Sequence, residues 1–467
     1  MTNNASIPPS GSLSGQGSTM VVRIDAAGLA DADRSIPGPV SVWVERPVDP
    51  GTGEPLGMPS RPHDAGHCIV RRIGPTPPPG DSDRLADAVL DRANCVLIPG
   101  LVNAHCHLDL TSLGPRSRDP EAGFVEWIRM IIAERPTETE AIRLSVAEGV
   151  RLSLAGGVVA VGDIIGAANG VPTTVGLSAL AESVLEGIGF VEYFGIAVHK
   201  VEGFSVLHDV AHEIAAWPAG ARVRPGLHPH APNTVSLPYY EESARIANRD
   251  GFPISTHLAE TPEERRFIAT ADGPQRDLLD QMGLWDESER AYLGFGRHPV
   301  AHLAHVLTQR AFLCAHVNDA DDAAIRTLAD TGASVAYCPR ASDYFGAADH
   351  FGPHRFRDML DAGVNVCLGT DSIVNLDTAD RISPLDDARL LARTTDAGAR
   401  TLLAMMTTRG AAALGLDADR YRLREGEAIA GLVAVPAEEA ERENGVPDMD
   451  PADAVLGSPG APELLLC

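Results

Sequence analysis

The stretch 96–109, VLIPGLVNAHCHLD, is a run of apolar residues that stops on two histidines, His105 and His107, separated by Cys106. An apolar run of this length bounded by Pro99-Gly100 reads as a buried strand. On a strand, residues two apart point to the same face, so both imidazoles can face one ion. A lone HxH is weak, since histidines are more often satisfied by ordinary hydrogen bonds.

Working outward, seven further apolar runs alternate with amphipathic stretches: GVVAVGDI (157–164), FVEYFGIAV (190–198), RVRPGLH (222–228), FPISTH (252–257), AFLCAH (311–316), ASVAYC (333–338) and NVCLGTD (365–371). With the first run this makes the set of strands needed for an α/β fold of the (β/α)₈ TIM-type barrel. Thr137 with Glu140, and Thr261 with Pro262 and Glu264, read as helix starts. Barrel enzymes carry their chemistry where strands end. Here three later runs stop on a titratable group: His257, His316 and Asp371.

Neutral imidazoles with one carboxylate suit a borderline divalent ion, Zn²⁺ first and Fe²⁺ second, with one position left for water. The implied chemistry is metal-assisted hydrolysis, in which bound water ionises near neutral pH. Glu260 lies three residues past His257, just before the Thr261 cap, and is assigned general acid/base work. Against that, an acid at a helix start can simply answer the macrodipole, a role Glu263 and Glu264 already fill. Asp371 is expected to offer its second oxygen to the attacking water, and His316 to orient that water or the developing oxyanion.

The ordered set PGLVNAHCHLD, HLAE, a strand ending on His316, and LGTDS resembles the amidohydrolase superfamily from about Leu97 to Leu416. The similarity is greatest to its metal-dependent deaminases and chlorohydrolases, nearest to those acting on aminodeoxyfutalosine and S-adenosylhomocysteine. That resemblance implies His105, His107, His257 and Asp371 as metal ligands, and Glu260 and His316 as catalytic. It also implies a mononuclear site, because RPGLHPHAP (224–232) holds no lysine to bridge a second ion and Lys200 is the chain's sole lysine. HPHAPNTVS (228–236) marks His230 as a substrate contact. GFVEWIR (123–129) and CPRASDYFG (338–346) mark Trp127 and Arg340 for stacking and hydrogen bonding to a heterocycle.

At 467 residues the chain exceeds the ~250 of one barrel. Residues 1–18 read as a disordered tail, 19–98 and 417–467 as two parts of a small β-sandwich domain, and 99–416 as the barrel. The formal charge of −26 disfavours nucleic acid or an anionic membrane as partner. The partners expected are a small heterocyclic substrate and water, with a homodimer by analogy. Seven scattered cysteines without a CxxC pair, and no signal or spanning segment, point to the cytoplasm.

The expected reaction is hydrolytic deamination of an aminopurine nucleoside, aminodeoxyfutalosine first, as in menaquinone biosynthesis, and adenosine or S-adenosylhomocysteine next. The alternatives are dechlorination or deamination of another heterocycle (s-triazine, guanine or cytosine), and a non-catalytic barrel serving in binding or assembly.

Overall fold

The computed structural model describes residues 19–48, 68–78, 85–118, 123–196, 200–437 and 449–466. The 1–18 tail, the Pro/Gly-rich stretch 49–57, part of 74–82 and Cys467 lie outside them.

Strands β1 (Thr19–Ala30), β2 (Ser35–Pro47), β3 (Cys68–Pro75) and β4 (Ala88–Pro99) come from the N-terminal part. β5 (Leu101–Cys106), β6 (Val158–Ile165), β7 (Glu186–Tyr193) and β8 (Val223–Pro229) form one parallel sheet in that order. β9 (Ser255–Leu258), β10 (Leu313–His316), β11 (Ser334–Tyr337) and β12 (Asn365–Leu368) form a second. Isolated parallel bridges Cys106↔Asp371 and Leu227↔Ile254 link the free edges of these two sheets at both sides. The result is an α/β fold of the TIM-barrel type.

Each run that the sequence marks as a barrel strand is found, with one displaced. The third run, read as 190–198, starts earlier, at Glu186, and ends at Tyr193. Gly187 and Gly189 look like turn punctuation in the sequence, yet they mark close packing inside the strand. A Cβ on Gly189 would lie 2.5 Å from Leu177 Cδ1, and one on Gly187, at φ +134°, would lie 2.0 Å from the Val161 carbonyl oxygen.

The two ends of the chain meet in one curled seven-stranded sheet. β13 (Ala428–Ile429) pairs with β3, and β14 (Leu432–Pro436) pairs with β4 and with β15 (Glu463–Leu466). Its apolar faces bury a core of their own, including Ile24, Val42, Val70, Leu97 and Leu432.

Thr261 caps the helix Pro262–Thr270, its hydroxyl accepting from Glu264 N at 3.2 Å. Thr137 does not cap. The next helix, Thr139–Ala155, starts two residues later with Glu138 in the cap position and no side-chain cap bond.

Candidate metal and catalytic centre

β5, β9, β10 and β12 bring their terminal side chains to one end of the barrel. His105 closes β5, and His107 follows one residue past the strand, where the chain enters the 3₁₀ turn Leu108–Leu113. Their Nε2 atoms lie 3.6 and 3.3 Å from Asp371 Oδ1. His257 Nε2 is 3.4 Å from His107 Nε2. His105, His107 and Asp371 offer ligand atoms within 4.8 Å of one another, and so do His105, His257 and His316. His105 Nε2 is buried without a hydrogen-bond partner. An uncompensated buried acceptor facing two more imidazoles and a carboxylate fits a divalent cation.

Burial favours neutral imidazoles at His105 and His257 but is outweighed at His107, where the Asp371 carboxylate raises the ring above the ordinary range. Burial lowers His105, and drives His257 well below the ordinary imidazole range, with neighbouring histidines adding to the effect. Both are therefore neutral, as metal ligation requires. Burial alone would raise Asp371, but the facing imidazoles of His105 and His107 hold its carboxyl well below the usual range.

Several side chains fix the ligands in place. Asn103 and Thr370 bond reciprocally between the first and last barrel strands, Nδ2 to Oγ1 at 2.8 Å and Thr370 N to Oδ1 at 3.0 Å. The Thr370 and Asp371 amides both donate to the His105 carbonyl at 3.0 Å. Gly369 permits that approach, because a Cβ there would fall 2.8 Å from His105 Cβ. Asn375 Nδ2 donates to Asp371 Oδ2 at 2.6 Å, so the oxygen expected to face the attacking water already has one partner, with a further lone pair to spare.

Glu260 stands beside this cluster, with Oε1 3.6 Å from His316 Nε2. Burial pushes its carboxyl well above the ordinary value, and the charges of Asp371, Glu264 and Glu263 push it further. Burial takes His316 down to about 3. Burial thus favours the protonated carboxyl at Glu260 and the neutral imidazole at His316. The loop holding Glu260 is tied from two sides. Glu264 accepts from the Ala259 and Glu260 amides at 2.9 and 2.8 Å, and Asn318 Nδ2 donates to the Glu260 carbonyl at 3.1 Å. Ser342, in the short helix Pro339–Tyr344 after β11, donates to Asn318 Oδ1 at 2.7 Å.

Strain gathers at this end of the barrel. Ala259, His316, Val317 and Asp371 adopt φ of 53°, 69°, 51° and 58°. Left-handed backbone at non-glycine residues costs on the order of 1–3 kcal/mol each and persists only where surroundings enforce it.

His230 joins the group from β8's end. Its Nδ1 bonds Thr234 Oγ1 at 2.6 Å, and its Nε2 faces Glu192 Oε1 at 3.9 Å. Glu192, His230 and His257 could also face a cation, but Arg135 Nη1 lies 3.9 Å from Glu192 and supplies positive charge there. Trp127 stacks on Phe124 and meets Phe345 edge-on, with centroids 5.5 and 5.1 Å away. This aromatic wall and Glu260 line one cavity of about 510 Å³.

Arg340 departs from its expected place. Its guanidinium donates to Asp387 Oδ2 through Nε and Nη2 at 3.1 and 2.8 Å, to the Ser383 carbonyl at 3.0 Å, and through Nη1 to Asp377 and Thr378. The five donors of an arginine are then all engaged, so the side chain anchors the loop to the helix Pro384–Thr394.

Two histidines were given no role in the sequence reading, although one of them, His228, ends the run 222–228. His228, two residues before His230, spans Ser255 Oγ at 2.7 Å and His257 Nδ1 at 3.2 Å. The i, i+2 spacing signals that pairing. His354 bonds the His316 carbonyl through Nε2 at 2.9 Å. It comes from a loop after β11 with no local motif.

The comparison with known families is decisive, because residues 96–445 match the model described as the amidohydrolase family. The chain belongs to the amidohydrolase family. A family relative from Natronomonas pharaonis, a 5-methylthioadenosine/S-adenosylhomocysteine deaminase, is 30% identical over 364 residues, covering 75% of this chain and 75% of its own. An adenosine deaminase from Xanthomonas campestris with bound zinc superposes with a TM-score of 0.66 at 20% identity, covering 94% of this chain and 89% of its own. The Helicobacter pylori aminofutalosine deaminase in complex with methylthio-coformycin gives 0.65 at 16% identity, covering 93% and 95%. At those identities the two structures show a shared fold.

Proposed function

We propose that this amidohydrolase is a hydrolytic deaminase of 5′-substituted adenine nucleosides. The observation that supports it is two overlapping sets of candidate ligands that share His105, one with His107 and Asp371 and the other with His257 and His316, with Glu260 beside His316 at a cavity wall. The nucleoside class is supported by the curated relative's activity on methylthioadenosine and S-adenosylhomocysteine. These two substrates therefore come before aminodeoxyfutalosine and the menaquinone route that the sequence motifs favour.

His105, His107, His257 and Asp371 would hold one divalent ion, Zn²⁺ first. The donor chemistry supports that choice, as does the zinc in the Xanthomonas neighbour. Such an ion supplies Lewis acidity and orients the attacking water. Glu260 hands its proton to the ring nitrogen beside the amine-bearing carbon, which makes that carbon electrophilic. As water adds there, Asp371 accepts its proton and His316 steadies the new oxygen. The proton that Glu260 gave stays on the ring nitrogen, the one on Asp371 passes to the amine, which leaves as ammonia, and the added hydroxyl returns its proton to Glu260 as the ring carbon becomes a carbonyl. His230 and Trp127 are the proposed substrate contacts.

The same reading treats residues 19–98 and 417–467 as a small sandwich beside a barrel of 99–416, supported by the β13–β3 and β14–β4 pairings. It also places the enzyme in a reducing cytoplasm, supported by six free, buried cysteines among the described residues. No helix among the described residues is long and apolar enough to cross a membrane.

The test is ammonia release, followed with ultraviolet spectra, from methylthioadenosine, S-adenosylhomocysteine, aminodeoxyfutalosine, adenosine, guanine and cytosine with Zn²⁺- or Fe²⁺-loaded protein. Turnover of the 5′-substituted nucleosides, abolished in Asp371→Ala, supports the reading. Metal-loaded protein that releases no ammonia from any of the six sinks it.

A further inference from the structure

His228, next to last in β8, is fully buried and takes no part in the ligand set or the proton transfers above. It reaches from β8 to β9 across the seam between the two barrel sheets, which the isolated bridge Leu227↔Ile254 marks. Its ring touches two residues of β9. Nδ1 lies 2.7 Å from Ser255 Oγ and Nε2 lies 3.2 Å from His257 Nδ1, with the two imidazoles edge-on at 86°.

The proton positions follow from the partners. His257 Nδ1 is also 2.9 Å from the His230 carbonyl oxygen. A carbonyl only accepts, so His257 carries its proton on Nδ1, and the lone pair of the neutral ring stands on Nε2, the atom that faces His107 Nε2 at 3.4 Å. A proton on His228 Nε2 would oppose the one on His257 Nδ1. His228 therefore presents a lone pair there and keeps its own proton on Nδ1, which donates to Ser255 Oγ. One chain of bonds, from His257 to His228 to Ser255, leaves His257 Nε2 free for a cation.

An imidazole ligand whose N–H is held by an acceptor is fixed in tautomer and orientation and becomes a stronger donor to the ion. The His230 carbonyl is a shared acceptor, since it also takes the His257 amide at 2.9 Å. His228 is the acceptor that a side chain supplies, and it ties the ring of His257 to the opposite side of the seam.

We infer that His228 is a positioning residue of the metal site: its Nε2 lone pair, oriented by Ser255, fixes the tautomer of His257 and aims that ring's Nε2 at the ion. The inference rests on the reading of His257 as a metal ligand and extends it to a residue outside the ligand set.

The test is Zn²⁺ affinity of the full chain, by competition with a chromophoric chelator, in wild type, His228→Phe, His228→Gln and Ser255→Ala. The phenylalanine variant keeps a buried ring and loses the acceptor, so Zn²⁺ should bind about 10- to 100-fold more weakly. Glutamine, whose amide oxygen can accept from His257, should recover most of the loss. Ser255→Ala should fall between wild type and His228→Phe, and should add nothing when combined with His228→Phe, because Ser255 acts through the imidazole. Long-range ¹⁵N–¹H correlation of the Zn²⁺-loaded wild type should place the ring protons of both His228 and His257 on Nδ1. Wild-type affinity in His228→Phe, equal losses in the phenylalanine and glutamine variants, or a proton on His228 Nε2 overturns the positioning role while leaving the metal site intact. If His228→Phe does not fold, wild-type affinity in Ser255→Ala overturns it instead. A wild-type chain that binds no Zn²⁺ overturns the metal site and this inference with it.

Discussion

Glu260 and His316 owe their protonation states to burial rather than to residue type. Glu260→Gln removes the transferable proton while keeping size and polarity. It should lower kcat by about 10²–10⁴ and leave metal content unchanged, read from ammonia release alongside elemental analysis. His354 acts one step behind. Its ring stacks on Tyr337 at 3.7 Å, and its Nε2–H donates to the carbonyl of His316, whose backbone is held at φ +69°. His354→Phe keeps the stack and loses the donor, whereas His354→Gln keeps a donor. The expected outcome is a kcat roughly tenfold lower for the phenylalanine variant, with KM and bound metal little changed, and partial recovery by glutamine. Equal damage from both variants would mean that the ring's packing is what matters.

Between elements, the loop after β11 and the helix Pro384–Thr394 are joined by a buried ion pair, Arg340 Nη2 to Asp387 Oδ2 at 2.8 Å. Burial raises Asp387 even though Arg340 opposes the shift. Removing the arginine strands that carboxylate. Arg340→Met should therefore destabilise by about 3–5 kcal/mol in urea unfolding, and a second change, Asp387→Leu, should recover part of the loss. KM measured on the folded fraction of Arg340→Met should stay near wild type. A large rise would restore Arg340 as a substrate contact.

Across the whole molecule, the proposed ligands come from both four-stranded sheets: His105 lies in β5 with His107 just past it, and His257 lies in β9 with Asp371 following β12. The seam between β5 and β12 is marked by the single bridge Cys106↔Asp371, so a bound ion adds a cross-link where the strand ladder is thin. Chelation should lower the melting temperature by roughly 5 °C, the size expected when a ligand held far below its working concentration is removed, and Zn²⁺ should restore it. A melting point indifferent to chelator would argue against metal held by all four side chains. Global stability should also follow the buried Asp163, which accepts from the Leu108 amide at 2.8 Å. Burial raises its carboxyl from the ordinary 3.8 to about 8. The folded state then holds a proton that the unfolded chain has released, so stability falls as pH rises from about 4 through about 8. Asp163→Asn should flatten that slope in urea titrations at stepped pH.

The barrel strands and the proposed catalytic side chains were legible because each is a local pattern: an apolar run ending at or just after His105, His257, His316 or Asp371, and a capped helix start beside Glu260. A strand end fixes where a side chain points, so chemistry written there can be read without the fold. The start of β7 was hidden because Gly187 and Gly189 signal a turn locally, and only the packing of Val161 and Leu177 against them explains a strand. Arg340 was misplaced for the same reason, since its partner Asp387 lies 47 residues away and the sequence gives no sign of the pairing. His354 and the Asn103–Thr370 clamp likewise act through contacts distant in the chain. The amino-acid sequence by itself determined the succession of barrel strands and which titratable groups stand at their ends, because those follow from periodicity and residue type. Only the tertiary structure decided which charges are buried and which donors are already taken, because desolvation and hydrogen-bond partners exist only once distant segments pack.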